Sequence, residues 1–80
     1  MPKLKVLSAK EIIRIFKSFG FVVAGQKGSH IKLERALKNS SQTLTIPNHK
    51  EIDHGTTSAI YRQALKFISE TELEKHFYTK

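Results

Sequence analysis

Residues 27–30 read Lys-Gly-Ser-His, an imidazole set directly behind a glycine-containing step and beside an amine. Lys32 follows two residues later, and a second imidazole, His49, is followed by Lys50. These residue types suit a phosphodiester. A free imidazole titrates near pH ~6.5 and can take a proton from a ribose 2′-hydroxyl at neutral pH. Ammonium groups hold a phosphate and offset charge developing on its oxygens. Glycine lets backbone N–H groups approach an anion closely. RNA, unlike DNA, carries the internal nucleophile, so this chemistry requires no metal. By residue type alone, His30 has three readings: an idle surface group, a core residue or a reacting group.

The surrounding pattern decides among them. In "SHIKLER" the residues alternate, with Ile31 and Leu33 on one side and His30, Lys32 and Glu34 on the other. A one-residue slip would expose two large aliphatic groups, so the register is well specified. "FVVAG" precedes it as a β-branched, aromatic run, and "GQKG" supplies turn chemistry between the two. "TLTIP" is a third strand, with Leu44 and Ile46 facing inward, Thr43 and Thr45 outward, and Pro47 ending it. An antiparallel arrangement brings the start of strand two beside the end of strand three. Residues 47–50, "PNHK", then lie near His30, so that His30, His49, Lys27, Lys32 and Lys50 share one region.

Helices flank these strands. In "LSAKEIIRIFKSFG", Ser8 and Glu11 have capping-box spacing, and Leu7 and Ile12 occupy the staple positions. Ala9, Ile12, Ile13, Phe16 and Phe19 form an apolar stripe, with Gly20 as the stop. "TTSAIYRQALKFIS" predicts a second helix with Ile60, Ala64, Phe67 and Ile68 buried and Thr56, Thr57 or Ser58 as the cap. Asp53 and Glu51 fit as dipole partners at its N-terminus. In the last ten residues, Thr71 and Glu74 repeat the capping-box spacing and predict a short third helix. The order helix, strand, strand, strand, helix is an α+β class. It gives a three-stranded antiparallel sheet with two helices on one face, leaving the other face, with His30, uncovered.

The chain has 80 residues, no cysteine, and 14 Lys+Arg against 7 Asp+Glu, a formal charge of +7. This length predicts a single domain, 1–80, with its core over about 8–68 and a tail at 69–80. It leaves no room for a deep cofactor cavity, and no cofactor is expected. The absence of cysteine suits a reducing cytoplasm. No apolar run approaches the ~20 residues that span a bilayer, and the start lacks the apolar segment of a secretory signal, so no membrane partner is expected. The excess of positive charge favours a polyanion. His49 and His54, five apart in a connector with no fixed third ligand, make a poor metal pair, and no metal site is expected.

Five short pieces, in order, resemble one family. They are Gly20-Phe21 at the end of the first helix, "KGSH" at Lys27 to His30, "IPNH" at Ile46 to His49, Gly55-Thr56, and Ile60 with Gln63-Ala64. The resemblance, which covers roughly residues 8–68, is to the HicA toxins, small RNA-cleaving partners of HicB antitoxins. The resemblance implies a fold like that of the double-stranded-RNA-binding domain. It implies an mRNA interferase whose catalytic histidine is His30, and inhibition by a HicB-type antitoxin covering the active face. On this basis His30 is the general base or acid. Gly28 and Ser29 shape the turn, and Lys27, Lys32 and Lys50 contact phosphate. His49 is either the second proton-transfer group or a cap. Thr57 departs from the family, which often carries an apolar or aromatic residue there. Two other functions fit the same charge and fold: an RNA-binding module without catalysis, and a protein-interaction module using the open sheet face.

Overall fold

Ser8 starts the first long helix as its sequence requires. Its side chain accepts from the Glu11 N–H at 3.1 Å, while the Glu11 carboxylate accepts from the Ser8 N–H at 2.9 Å, completing the capping box. The bond from the Ser8 backbone N–H, and after it the Ser8 hydroxyl, hold the Glu11 carboxyl below the usual carboxylate range. The helix ends in a Schellman motif: Gly20 N–H donates to the Lys17 carbonyl and Phe21 N–H to the Phe16 carbonyl. Gly20 takes a φ of +97°, and the Phe16 and Phe21 rings meet edge to face at 5.7 Å, supplying the apolar contact of the motif.

A computed structural model describes residues 2–79. In chain order the elements are β1 (Lys3–Leu4), α1 (Ala9–Ser18), β2 (Val22–Lys27), β3 (His30–Ala36), β4 (Ser41–Pro47), α2 (His54–Ala64), α3 (Glu70–Phe77) and β5 (Tyr78–Thr79). Strands β2, β3 and β4 form one antiparallel sheet in that order, and β1 pairs with β5 in a second, two-stranded sheet. Helix, three antiparallel strands and helix give the α+β architecture of the double-stranded-RNA-binding domain, as expected. The inner face of the sheet carries Ile31, Leu33, Leu44 and Ile46, all buried with Ile12 and Phe16 of α1 and Ile60 and Ala64 of α2. At ~25 cal/mol per Å² of apolar surface, each such aliphatic group contributes on the order of 2 kcal/mol through burial.

Several local expectations change. β2 begins at Val22 and runs to Lys27, so Gly25 and Gln26 lie in the strand and the turn narrows to Gly28-Ser29. A bulge between Val23 and Gly25 absorbs one residue, and a positive φ at Gly28 closes the two-residue loop. α2 begins at His54, capped by Asp53 and not by Thr56, Thr57 or Ser58. The Asp53 carboxylate accepts from the Thr56 N–H at 3.0 Å and the Thr56 hydroxyl at 2.7 Å, which places it one position outside the first turn. α2 ends at Ala64, so Phe67 lies beyond it and is half-buried, whereas Thr57 and Tyr61 of its inner face are buried. The Thr57 hydroxyl donates to the Ile52 carbonyl at 3.4 Å, which lets a polar residue occupy this packed position.

The C-terminal segment is helical, with Ser69 at the cap position. Thr71 and Glu74, expected to form a capping box, lie inside the helix. Leu73 and Phe77 of α3 are fully buried, and the Phe77 ring lies 5.8 Å from Phe16 and 5.4 Å from Tyr61. The core cluster therefore takes in residues beyond 68. Burial raises the Tyr61 hydroxyl pKa, with Glu70 and Glu74 adding to the shift.

Candidate active site

The site is built on the β2–β3 hairpin and the end of β4. Gly28 has a φ of +60° and is followed by Ser29 with no positive φ, so only the first central residue of the turn is left-handed. That is the type II′ pattern, whose twist matches the flanking strands and which calls for glycine at this position. The Gln26 side-chain amide donates to the Gly28 carbonyl at 3.0 Å and braces the loop. Lys27 is the cross-strand partner of His30, at the last step before the turn.

His30 is in turn the partner of Pro47 in β4. The pairing continues past the strand, where Asn48 N–H donates to the Ser29 carbonyl at 2.6 Å. One end of the sheet thus gathers Lys27, Gly28, Ser29 and His30 with Pro47 and Asn48. His30 is exposed, and its neighbours Ile31 and Leu33 are buried, so the imidazole stands on the uncovered face and not in the core. Lys32, two residues on, is exposed on that same face opposite Thr45. At ~3.4 Å rise per residue, its Cα lies about 7 Å along the strand from that of His30.

The 47–50 segment turns away after Pro47. His49 N–H donates to the Pro47 carbonyl at 2.9 Å, and the His49 carbonyl accepts from Ala9 N–H at 3.0 Å. The main-chain carbonyl of His49 thus caps the first N–H of α1, which leaves its imidazole uncommitted by this bond. Its side chain and that of Lys50 line a groove with Ser8, Lys10 and Asn48. Lys10 thus joins this neighbourhood, which its place off the apolar stripe of α1 did not indicate. The missing signal is long-range: the Ala9–His49 bond and the Leu7–Ile52 bridge fold the connector onto α1. His54 is the first residue of α2, on the other side of Asp53. Among the described residues, no three of His, Asp or Glu stand close enough to hold a metal ion.

An uncovered sheet face with an exposed histidine behind a Lys-Gly-Ser turn occurs here within a stretch that matches a known family model. The model is described as HicA toxin of bacterial toxin–antitoxin, and it matches residues 9–65, from the first residue of α1 to just past the end of α2. The chain belongs to the HicA toxin family. Comparison with curated proteins and with solved structures found no match. HicA membership makes this protein the toxin of a toxin–antitoxin system and implies an antitoxin partner. Among the described residues, no helix is long and apolar enough to cross a membrane. The matched stretch contains His30, His49, Lys27, Lys32 and Lys50, and it stops before α3, so the helix carrying Leu73 and Phe77 lies outside it.

Proposed function

We propose that this HicA toxin is an endoribonuclease that cleaves mRNA in the cytoplasm with His30 as its general acid or base. The observation that carries the reading is the position of His30: exposed, next to the Gly28-Ser29 turn, on the sheet face that no helix covers. In the proposed reaction the imidazole removes the proton of a ribose 2′-hydroxyl. The 2′-oxygen attacks the adjacent phosphorus, and the bond from phosphorus to the 5′-oxygen breaks. That leaving oxygen takes up a proton, from the same imidazole after its first step or from a second group such as His49. The products are a 2′,3′-cyclic phosphate and a 5′-hydroxyl.

The remaining residues bind and position. Lys27 and Lys32 flank His30 along the strands and offer ammonium donors to the phosphate oxygens there, while Lys50, in the groove beside α1, would take a neighbouring phosphate. Gly28 and Ser29 offer backbone N–H groups at the turn. A HicB-type antitoxin that covers this face would exclude RNA from His30. The reaction draws its nucleophile from the substrate, so activity is expected to persist in EDTA.

End-group analysis tests the chemistry. RNA cleaved by the purified protein should carry 2′,3′-cyclic phosphate and 5′-hydroxyl ends. A substrate with 2′-deoxyribose at the cleaved position should stay intact, because it lacks the attacking oxygen. Cleavage of that deoxy substrate at the same position would refute the mechanism.

A further inference from the structure

Outer strand β4 and helix α2 leave a groove between them, lined by Thr45, Thr56, Ile60, Arg62, Gln63 and Lys66 among others. Two of its lining residues are cations and none is a carboxylate. The groove of Lys10, His49 and Lys50 shares this character, whereas Glu11 accompanies Lys5 and Arg14 in the cleft on the other side of α1 and Glu74 lines the one at α3. Asp53 borders the β4–α2 groove only through Thr56, where its carboxylate is committed to capping α2.

The groove adjoins the candidate site through a cross-strand pair. Lys32 and Thr45 are partners in β3 and β4 and stand on the uncovered face with His30. Further along β3 that face turns acidic at Glu34, opposite Thr43. A polyanion that starts at His30 and avoids Glu34 therefore leaves β3 at Lys32 and crosses β4 at Thr45, which is where the groove opens. Arg62 in the last turn of α2 and Lys66 in the turn that follows the helix are both exposed and both line the groove. The Arg62 guanidinium donates one bond to the Ser58 hydroxyl at 3.1 Å and has further N–H donors for phosphate oxygens. Gln63 adds an amide that both donates and accepts.

We infer that this groove holds the single-stranded RNA flanking the scissile phosphate, with Arg62 and Lys66 on its backbone phosphates. The inference rests on the endoribonuclease reading for the position of the scissile phosphate. The groove itself is read by RNA binding, which needs no cleavage.

The test uses a labelled single-stranded RNA of about 16 nucleotides and the Arg62→Ala/Lys66→Ala variant. Both positions are exposed, and alanine favours helix at Arg62 in α2, so the fold is expected to persist and is checked by circular dichroism. Losing two phosphate contacts should lower the slope of log affinity against log salt by about 1.4 and weaken binding about 25-fold at 0.1 M salt. In cleavage assays the loss should appear in KM and not in kcat, and it should grow with RNA length. An Arg14→Ala/Lys75→Ala variant removes the same charge elsewhere and should keep the wild-type salt slope. An equal loss in that control, or an unchanged slope in the groove variant, would overturn the inference. So would intact RNA binding with weakened antitoxin binding, which would assign the groove to the protein partner. Failure of cleavage by the wild type with the salt effect present would sink the catalytic reading and leave the groove standing.

Discussion

Arg35 joins four parts of the fold, and its removal has a calculable cost. Its guanidinium donates to the Gln42 side-chain carbonyl at 2.8 Å, the Phe19 carbonyl at 2.8 Å and the Phe67 carbonyl at 3.0 Å. It also lies 4.9 Å from the centre of the Phe21 ring. The bonds tie β3 to β4, to the end of α1 and to the segment after α2. A hydrogen bond from a charged donor is worth ~1.5–3 kcal/mol, and a cation over an aromatic ring ~0.5–2 kcal/mol. Arg35 is half-buried, so water replaces part of what is lost, and the contributions do not add in full. Arg35→Met keeps much of the aliphatic packing and should cost about 2–3 kcal/mol. In a domain of this size that is a fall in Tm of ~10–20 °C. Arg35→Lys should recover under half, because an ammonium group cannot span three acceptors in different directions. Urea denaturation followed by circular dichroism measures both. A loss under ~0.5 kcal/mol for Arg35→Met would refute the assignment of Arg35 as a junction. His30 lies five residues away, about 17 Å along the strand, so RNA cleavage well below Tm should be retained.

Two glycines should respond unequally to alanine. Gly28 has a positive φ but open space around a would-be Cβ, so Gly28→Ala should cost only the ~1–3 kcal/mol of backbone strain at that position. At Gly20 a Cβ would also meet the Arg35 Cδ at 3.3 Å, so thermal unfolding should show the larger loss for Gly20→Ala; the reverse order would contradict the structure. Acid sensitivity should trace in part to the cap of α2, beside that of Glu11 at the start of α1. The Thr56 hydroxyl and then its N–H hold the Asp53 carboxyl below its usual range, so the folded state is favoured by the ionised form. That stabilisation is present above the ordinary value of ~4 and is lost as pH falls through the lower folded value. Asp53→Asn keeps a capping oxygen but does not titrate, so the fall in Tm on acidification should be shallower than in the wild type. Identical profiles would show that Asp53 contributes nothing to it.

Local chemistry made most of the elements legible. Ser8, Glu11 and Gly20 define both ends of α1 by themselves, and the alternation through Ile31 and Leu33 is enough to place His30 on the outer face. The proximity of Pro47 and Asn48 to His30 follows from antiparallel pairing alone. What stayed hidden depends on distant partners. The cap of α2 fell to Asp53 because the connector returns to pair with Leu7, a contact without a sequence signature. Arg35 reads as one more charge in a strand until Phe19 and Phe67 present their carbonyls to it. The pairing of β1 with β5 joins residues near the two ends of the chain, and neither two-residue segment carries a strand pattern of its own. Lys10 came to the candidate site by the same kind of long-range closure.

Cleavage of RNA by wild-type protein and by His30→Ala, with binding measured on the same preparations and EDTA present throughout, tests the central claim most directly. Wild-type cleavage in EDTA is expected, with RNA binding by both proteins within a few-fold and a drop in the cleavage rate of about 10²–10⁴-fold in the variant. Because His30 is exposed, Tm should stay the same. Cleavage by His30→Ala at the wild-type rate would remove His30 from the reaction.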